Sequence, residues 1–222
     1  MNSWGVIWDS RNLLLQGLLA TLALTGATIV GSTVVGFLVG FGRYRRIPVL
    51  NAVLRIYIEV FRGTPLLMQL LFIYFGAAYL RWDWMSIFLA SFIGLTLFQG
   101  AYISEVFRAG FESVPLGQRE AATTLGLSRF NITKDVVFPQ TLPVVLPPLF
   151  AQYLQLIKNT SIASVIGYAE LVHEGQAATN LGANAFDVYL VLAAIYFIVS
   201  YPLSLAARGL ERRIVNRRER VA

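Results

Sequence analysis

The chain has 222 residues, of which 56% are hydrophobic and 14% charged, against roughly 45–50% and 25% in a soluble domain. The apolar residues gather into long runs that one soluble core cannot hide, so lipid is the expected solvent for much of the surface. No cysteine is present, which excludes disulfides and cysteine metal sites, and the net charge of +6 needs an explanation from its distribution.

The first basic residue is Arg11. A basic region before an apolar stretch is therefore missing, and a cleaved signal peptide is not expected. A membrane span takes roughly 20 mostly apolar residues, and about five stretches qualify in an all-α reading of the chain. The first covers 13–41 and is rich in glycine; Gly36 and Gly40 have the GxxxG spacing that serves generic helix packing or admits a specific close neighbour. Residues 51–62 mix Arg55, Glu59 and Arg62 with Ile, Tyr, Val and Phe, which predicts an amphipathic entry from one interface. Gly63, Thr64 and Pro65 then break the pattern before the rest of a second span, 62–80. A bend is expected there, and with it a possible gate or hinge.

The third span, 87–110, contains Gln99, a polar residue deep enough to line a pathway or to bond a neighbouring helix. Near its end Glu105 precedes Arg108 by three residues, the spacing of an ordinary helical ion pair. The loop 112–134 includes a run of helix formers over 118–125, closed by Gly126. A short surface helix is expected, either as a plain connection or as a seat for another protein, with Ala121 and Ala122 offering little bulk. The fourth span, 135–157, holds Pro139, Pro143, Pro147 and Pro148, so a kinked or partly unwound helix is expected. Lys158, Asn159, Thr160 and Ser161 follow. They could line a pathway, or Lys158 could snorkel to the interface while Asn159 and Thr160 cap the turn. The loop beyond holds the only histidine, His173, beside Glu174, and a fifth span covers 188–207.

With the N-terminus outside, all but three of the 18 basic residues fall in cytoplasmic segments. The exceptions are Arg11, Arg81 and Lys158. That asymmetry is the positive-inside rule acting on every loop. It predicts the N-terminus out and the C-terminus in, and it assigns the net charge to anionic lipid, with no nucleic acid needed. Neither lysine, Lys134 or Lys158, follows a glycine-rich phosphate loop, so ATP hydrolysis by that route is excluded from this chain. No zinc-protease helix or nucleophile elbow appears. An ion-coupled carrier without an ATPase is the alternative reading, but it usually places ionisable groups deep in its spans, and they are few here.

The run Glu120-Ala121-Ala122, then Gly126, then Val136-Val137-Phe138-Pro139 resembles the EAA loop of bacterial ABC importer permeases. Relatives usually carry Ile and Leu where Val136 and Phe138 stand. More narrowly, FRGTPLLMQLLFIYFG at 61–76, GAYISEVFRAGFESVPLGQREAA at 100–122, KNTSIASVIGYAEL at 158–171 and GLLATLALT at 17–25 are similar to the polar amino-acid permeases of histidine, glutamine and arginine importers. The resemblance implies a subunit of the bacterial inner membrane that pairs with an identical or related permease. Two cytoplasmic ATPase subunits, which hold the ATP and magnesium, and an extracytoplasmic amino-acid-binding protein complete the assembly; no cofactor is implied on this chain. It also implies that Glu120, Ala121, Ala122 and Gly126 couple to the ATPase. Lys158, Asn159, Ser161 and Gln99 are the expected substrate contacts, and Gly63, Thr64, Pro65 and Glu105 the expected gate or hinge. Some relatives that take basic amino acids have an acid after the lysine. Asn159 stands there instead, which favours glutamine, glutamate or a neutral polar amino acid.

Overall fold

A computed structural model describes residues 2–219, and all regular structure among them is helical. In chain order the helices are α1 (Ser3–Asp9), α2 (Arg11–Tyr44), α3 (Pro48–Gly63), α4 (Leu66–Tyr79), α5 (Ile87–Glu112), α6 (Leu116–Thr124), α7 (Arg129–Asn131), α8 (Phe138–Asn159), α9 (Leu171–Asn180) and α10 (Ala185–Glu219). A π-helical turn, Ile132–Val137, leads into α8, and a 3-10 turn, Thr160–Ile166, leaves it.

Three helices, α2, α5 and the Ala185–Gly209 part of α10, are each long and apolar enough to cross a membrane. The bent pair α3 and α4 makes a fourth crossing if it counts as one span. At 1.5 Å per residue the 22 residues of α8 reach about 33 Å, enough for a bilayer core of about 30 Å. Gln140, Gln152, Gln155 and Lys158 lower its apolarity below that of the other three.

The centre of the bundle is α5, whose most apolar stretch is 56% buried, against 28% for α2 and 6% for α10. Glycines let its neighbours come close. A Cβ on Gly40 of α2 would lie 2.5 Å from the Ser104 carbonyl oxygen, and one on Gly36 would lie 2.7 Å from Ile103 Cβ. The GxxxG pair therefore serves a contact within the chain. On other faces of α5, Gly94 receives Leu70 of α4, and Gly110 receives Val145 and Thr141 of α8.

Three buried clusters follow from this arrangement. At the end bearing the basic loops, Phe37 packs edge-on to Phe107 at 5.4 Å and Phe41 edge-on to Phe111 at 5.6 Å. A second cluster gathers Leu24, Leu66, Leu70, Leu95 and Leu156. At the opposite end Leu14, Leu171, Val188 and Leu192 close the bundle, with α9 lying across α2 at Gly17. The outer face of α2 is left oily, with Leu15, Leu19, Val30, Val34 and Leu38 all more than half exposed. The whole surface is 12,940 Å², where a soluble monomer of 24.6 kDa exposes about 10,000 Å². Lipid and partner chains account physically for such a surface.

The helix expected over 13–41 extends to Tyr44, because the basic end of α2 has partners: Arg43 pairs with Glu105, and Tyr44 lies 5.3 Å from Phe111. The irregular backbone expected inside 135–157 sits at the ends instead, in the π turn and the 3-10 turn. Between them α8 stays helical through Pro143, Pro147 and Pro148. Pro139 follows closely on the π turn, so its missing amide donor falls where the wider turn passes into α8.

Candidate functional site

Polar side chains on an otherwise apolar helix are the first place to look for chemistry. On α8, Gln152, Gln155 and Asn159 recur at i, i+3 and i+7, which sets them on one face. Gln99 comes from α5 and is almost fully buried. Its Nε2 donates to Gln152 Oε1 at 2.7 Å and to the Gln152 carbonyl at 3.1 Å. Gln155 Nε2 in turn donates to Asn159 Oδ1 at 3.1 Å. The result is a seam of amides, each able both to donate and to accept.

Lys158 lies in the last turn of α8, exposed, and lines a groove of about 470 Å³ with Tyr196, Ser200, Tyr201 and Ser204 of α10. The Ser200 hydroxyl is buried without a partner. Ser161 spends its hydroxyl on the Lys158 carbonyl at 2.7 Å, and Thr160 on that of Ile157 at 2.7 Å. Of the four expected contacts, Gln99 thus pairs with Gln152 and Asn159 with Gln155. Lys158 opens into the α10 groove, and Ser161 turns back on its own backbone. Gln152 and Gln155 were not singled out from sequence, although their i, i+3, i+7 spacing with Asn159 was the signal.

At the basic end α6 runs Leu116–Thr124, two residues earlier than the start expected at 118, with Pro115 as its N-cap. Glu120 and Ala121 are exposed, whereas Ala122 turns inward to the cluster containing Phe111, Val114 and Ile132. Arg119 reaches under the helix to the carbonyls of Phe111 at 2.7 Å and Val114 at 3.0 Å. Gly126 has φ +77. Its amide donates to Thr123 O at 2.9 Å and that of Leu127 to Ala122 O at 3.1 Å, a Schellman closure that favours glycine.

The break at Thr64 and Pro65 turns the chain by 107°. Gln69 braces it: its Nε2 donates to Phe61 O at 2.9 Å, to Thr64 O at 3.1 Å and to Thr64 Oγ1 at 2.7 Å. Sequence reasoning missed this residue, since a lone glutamine carries no pattern. Gly63 has open space around its Cα.

Glu105 bonds Arg108 within α5 at 2.7 Å and Arg43 of α2. Arg108 continues to Glu112 at 2.6 Å, and Glu112 to Arg46 at 3.5 Å. This alternating chain of three arginines and two glutamates ties α2 to α5.

At the other end Glu170 is fully buried. It caps α9 by accepting from the His173 amide at 2.9 Å, and it accepts from Tyr196 Oη at 3.0 Å. Burial pushes its carboxyl above the usual range, while the two backbone amides of Val172 and His173 and the Tyr196 hydroxyl pull the other way.

Among the described residues no group of acidic and histidine side chains has the geometry to hold a metal ion. Residues 14–216 match the family of binding-protein-dependent transport system inner membrane components. The chain is 38% identical over 95% of its length to the glutamine transport system permease protein GlnP of Escherichia coli K12, covering 97% of that protein. It is 37% identical over 93% of its length to the probable glutamine ABC transporter permease protein GlnP of Bacillus subtilis 168, covering 93% of it. A crystal structure of an amino acid ABC transporter superposes with a TM-score of 0.85 at 33% identity, over 93% of this chain and 96% of that one. The MetNI methionine ABC transporter shares the fold, with a TM-score of 0.78 at 23% identity over 92% and 97% of the two chains.

A helical bundle with the bent α3–α4 pair and an EAA-type surface helix is thus the architecture of an ABC importer permease. This chain belongs to the binding-protein-dependent transport system inner membrane component family. It is a multi-pass protein of the cytoplasmic membrane and a transport subunit, with ATP hydrolysis on a separate chain; the ion-coupled alternative falls away. ATPase and substrate-binding partners go with that class of importer.

Proposed function

We propose that the chain moves a neutral polar amino acid, glutamine first among them, inward through a pathway edged by the amide seam of α5 and α8. The carrying observation is the chemistry of that seam. Gln99 and Gln152 form a part-buried amide pair. Gln155 and Asn159 form a second pair nearer the surface, whose carboxamides can re-pair with a ligand's, and Lys158, next to Asn159, supplies a cation for the carboxylate. No carboxylate lies among these residues to meet a guanidinium. The glutamine named for both GlnP relatives agrees with this reading.

In this proposal the N-terminus is outside, and the basic end of the bundle faces the cytoplasm. Two copies of the chain, or one with a related permease, form the pathway over two ATPase subunits that bind ATP and magnesium. An extracytoplasmic binding protein feeds it. Glu120 and Ala121 contact the ATPase directly, Ala122 and Arg119 fix α6 to the bundle, and Gly126 closes the helix so that force applied there reaches α8 through the π turn. The bend at Gly63, Thr64 and Pro65, with Gln69 across it, serves as a hinge, and the Glu105 chain holds α2 and α5 as one body.

Asn159→Asp tests the substrate assignment in the assembled importer reconstituted with its binding protein. Relative uptake of arginine over glutamine should rise severalfold. An unchanged ratio would remove the seam from specificity.

A further inference from the structure

The basic end carries a cleft lined by no residue of the amide seam and none of α6. It encloses about 760 Å³ between α2, the start of α3 and the entry to α8, within the range of pockets that hold small organic ligands. Its walls are aromatic: Phe37, Phe41, Phe111, Phe130 and Phe138 all line it. Phe111 is fully buried and forms the floor, while Phe130 is 72% exposed. The other lining residues include Arg45, Arg129 and Lys134, all exposed, and no carboxylate.

These three cations differ from the other basic residues around them. Arg43, Arg46 and Arg108 are ion-paired, and Arg119 is bound to backbone carbonyls. Among the described residues Arg45, Arg129 and Lys134 make no ion pair, and Arg45 lies over the Phe41 ring at 5.9 Å. An adjoining cleft of about 620 Å³ shares Arg45 and Arg129; the single acid lining it, Glu112, is already bound to Arg46 and Arg108. Asp135 follows Lys134 in the chain but does not line either cleft.

We propose that this cleft binds an anionic phospholipid, its phosphate held by Arg45, Arg129 and Lys134 and the upper part of an acyl chain lying between the phenylalanines. Aromatic walls together with three exposed cations that make no ion pair fit an amphiphile with a negative head. A free phosphate would leave the aromatic walls unused. Exposed Ile47, Val49 and Leu50 beside the cleft set it at the membrane surface, where lipid is the abundant ligand. The site lies between the α2–α3 corner and the segment joining α6 to α8, so a bound lipid braces the coupling segment against the bundle.

The importer, purified with its ATPase in detergent and exchanged with equal amounts of phosphatidylglycerol and phosphatidylcholine, is examined by native mass spectrometry. The wild type should retain phosphatidylglycerol in preference. The triple variant Arg45→Gln, Arg129→Gln, Lys134→Gln should retain roughly tenfold less of it, with phosphatidylcholine unchanged. Arg11→Gln with Arg81→Gln, at the opposite end, should retain it as the wild type does. A second readout places the lipid: brominated phosphatidylglycerol should quench a Phe130→Trp variant more than brominated phosphatidylcholine does, by an increment absent from the wild type with its own Trp4, Trp8, Trp82 and Trp84. Equal retention of the two lipids, full retention by the triple variant, or displacement by inorganic phosphate alone would each overturn the proposal.

Discussion

Replacing Gly40 with alanine should force α2 away from α5. The added Cβ would sit 2.5 Å from the Ser104 carbonyl oxygen and 2.9 Å from Phe107 Cβ, and the first of these is backbone that no rotamer change can move. Relief to an ordinary contact near 3.4 Å needs about 0.9 Å of separation at this level. Helices packed over glycine cannot open that far without loosening the rings next to it, Phe37 on Phe107 and Phe41 on Phe111. Overpacking of this kind costs about 1–3 kcal/mol, and strain against rigid backbone places Gly40→Ala in the upper half of that range. Gly26→Ala is the control, since nothing lies within 4 Å of its Cβ position. Reversible unfolding of the purified protein in mixed detergent and SDS measures both. Equal stability of Gly40→Ala and Gly26→Ala would refute the account of α2–α5 packing.

Glu170→Ala should cost about 1–3 kcal/mol by stranding the His173 amide and the Tyr196 hydroxyl, whereas Glu170→Gln keeps acceptors and loses less. The raised Glu170 carboxyl means the folded state holds its proton at higher pH than the unfolded chain. Its stabilising contribution is complete below the unfolded value and declines as pH rises through the folded one. Melting followed upward in pH from the ordinary glutamate range should therefore show a downward slope in the wild type that Glu170→Gln flattens; parallel slopes would contradict this. Gln69→Leu should free the three hydrogen bonds across the bend and raise hydrogen exchange at 61–66 while exchange in α5 stays unchanged. Glu120→Ala with Gly126→Val should leave the assembled complex intact but lower its substrate-stimulated ATPase activity. Valine at φ +77 costs about 1–2 kcal/mol locally, and undiminished stimulation would count against coupling through α6.

The apolar runs carried most of the architecture, because lipid imposes long uninterrupted segments. Gly126 was legible as a helix end for a local reason, its positive φ. What sequence could not show depends on distant partners. Gly36 and Gly40 have the same spacing whether they meet another chain or, as here, Ile103 and Ser104 of α5. Gln69 and Glu170 look like isolated polar residues until the fold brings the α3 carbonyls and Tyr196 to them. The prolines of α8 suggested a kinked or partly unwound helix; its middle stays helical, with a π turn at one end and a 3-10 turn at the other. Ala121 and Ala122 were alike in sequence, and only packing separates the exposed one from the buried one.

Transport itself gives the most direct test. The chain, reconstituted into proteoliposomes with its ATPase and binding protein, should take up radiolabelled glutamine only when ATP reaches the ATPase, with no dependence on a proton or sodium gradient. Uptake that continues without ATP and follows an imposed ion gradient would contradict the account.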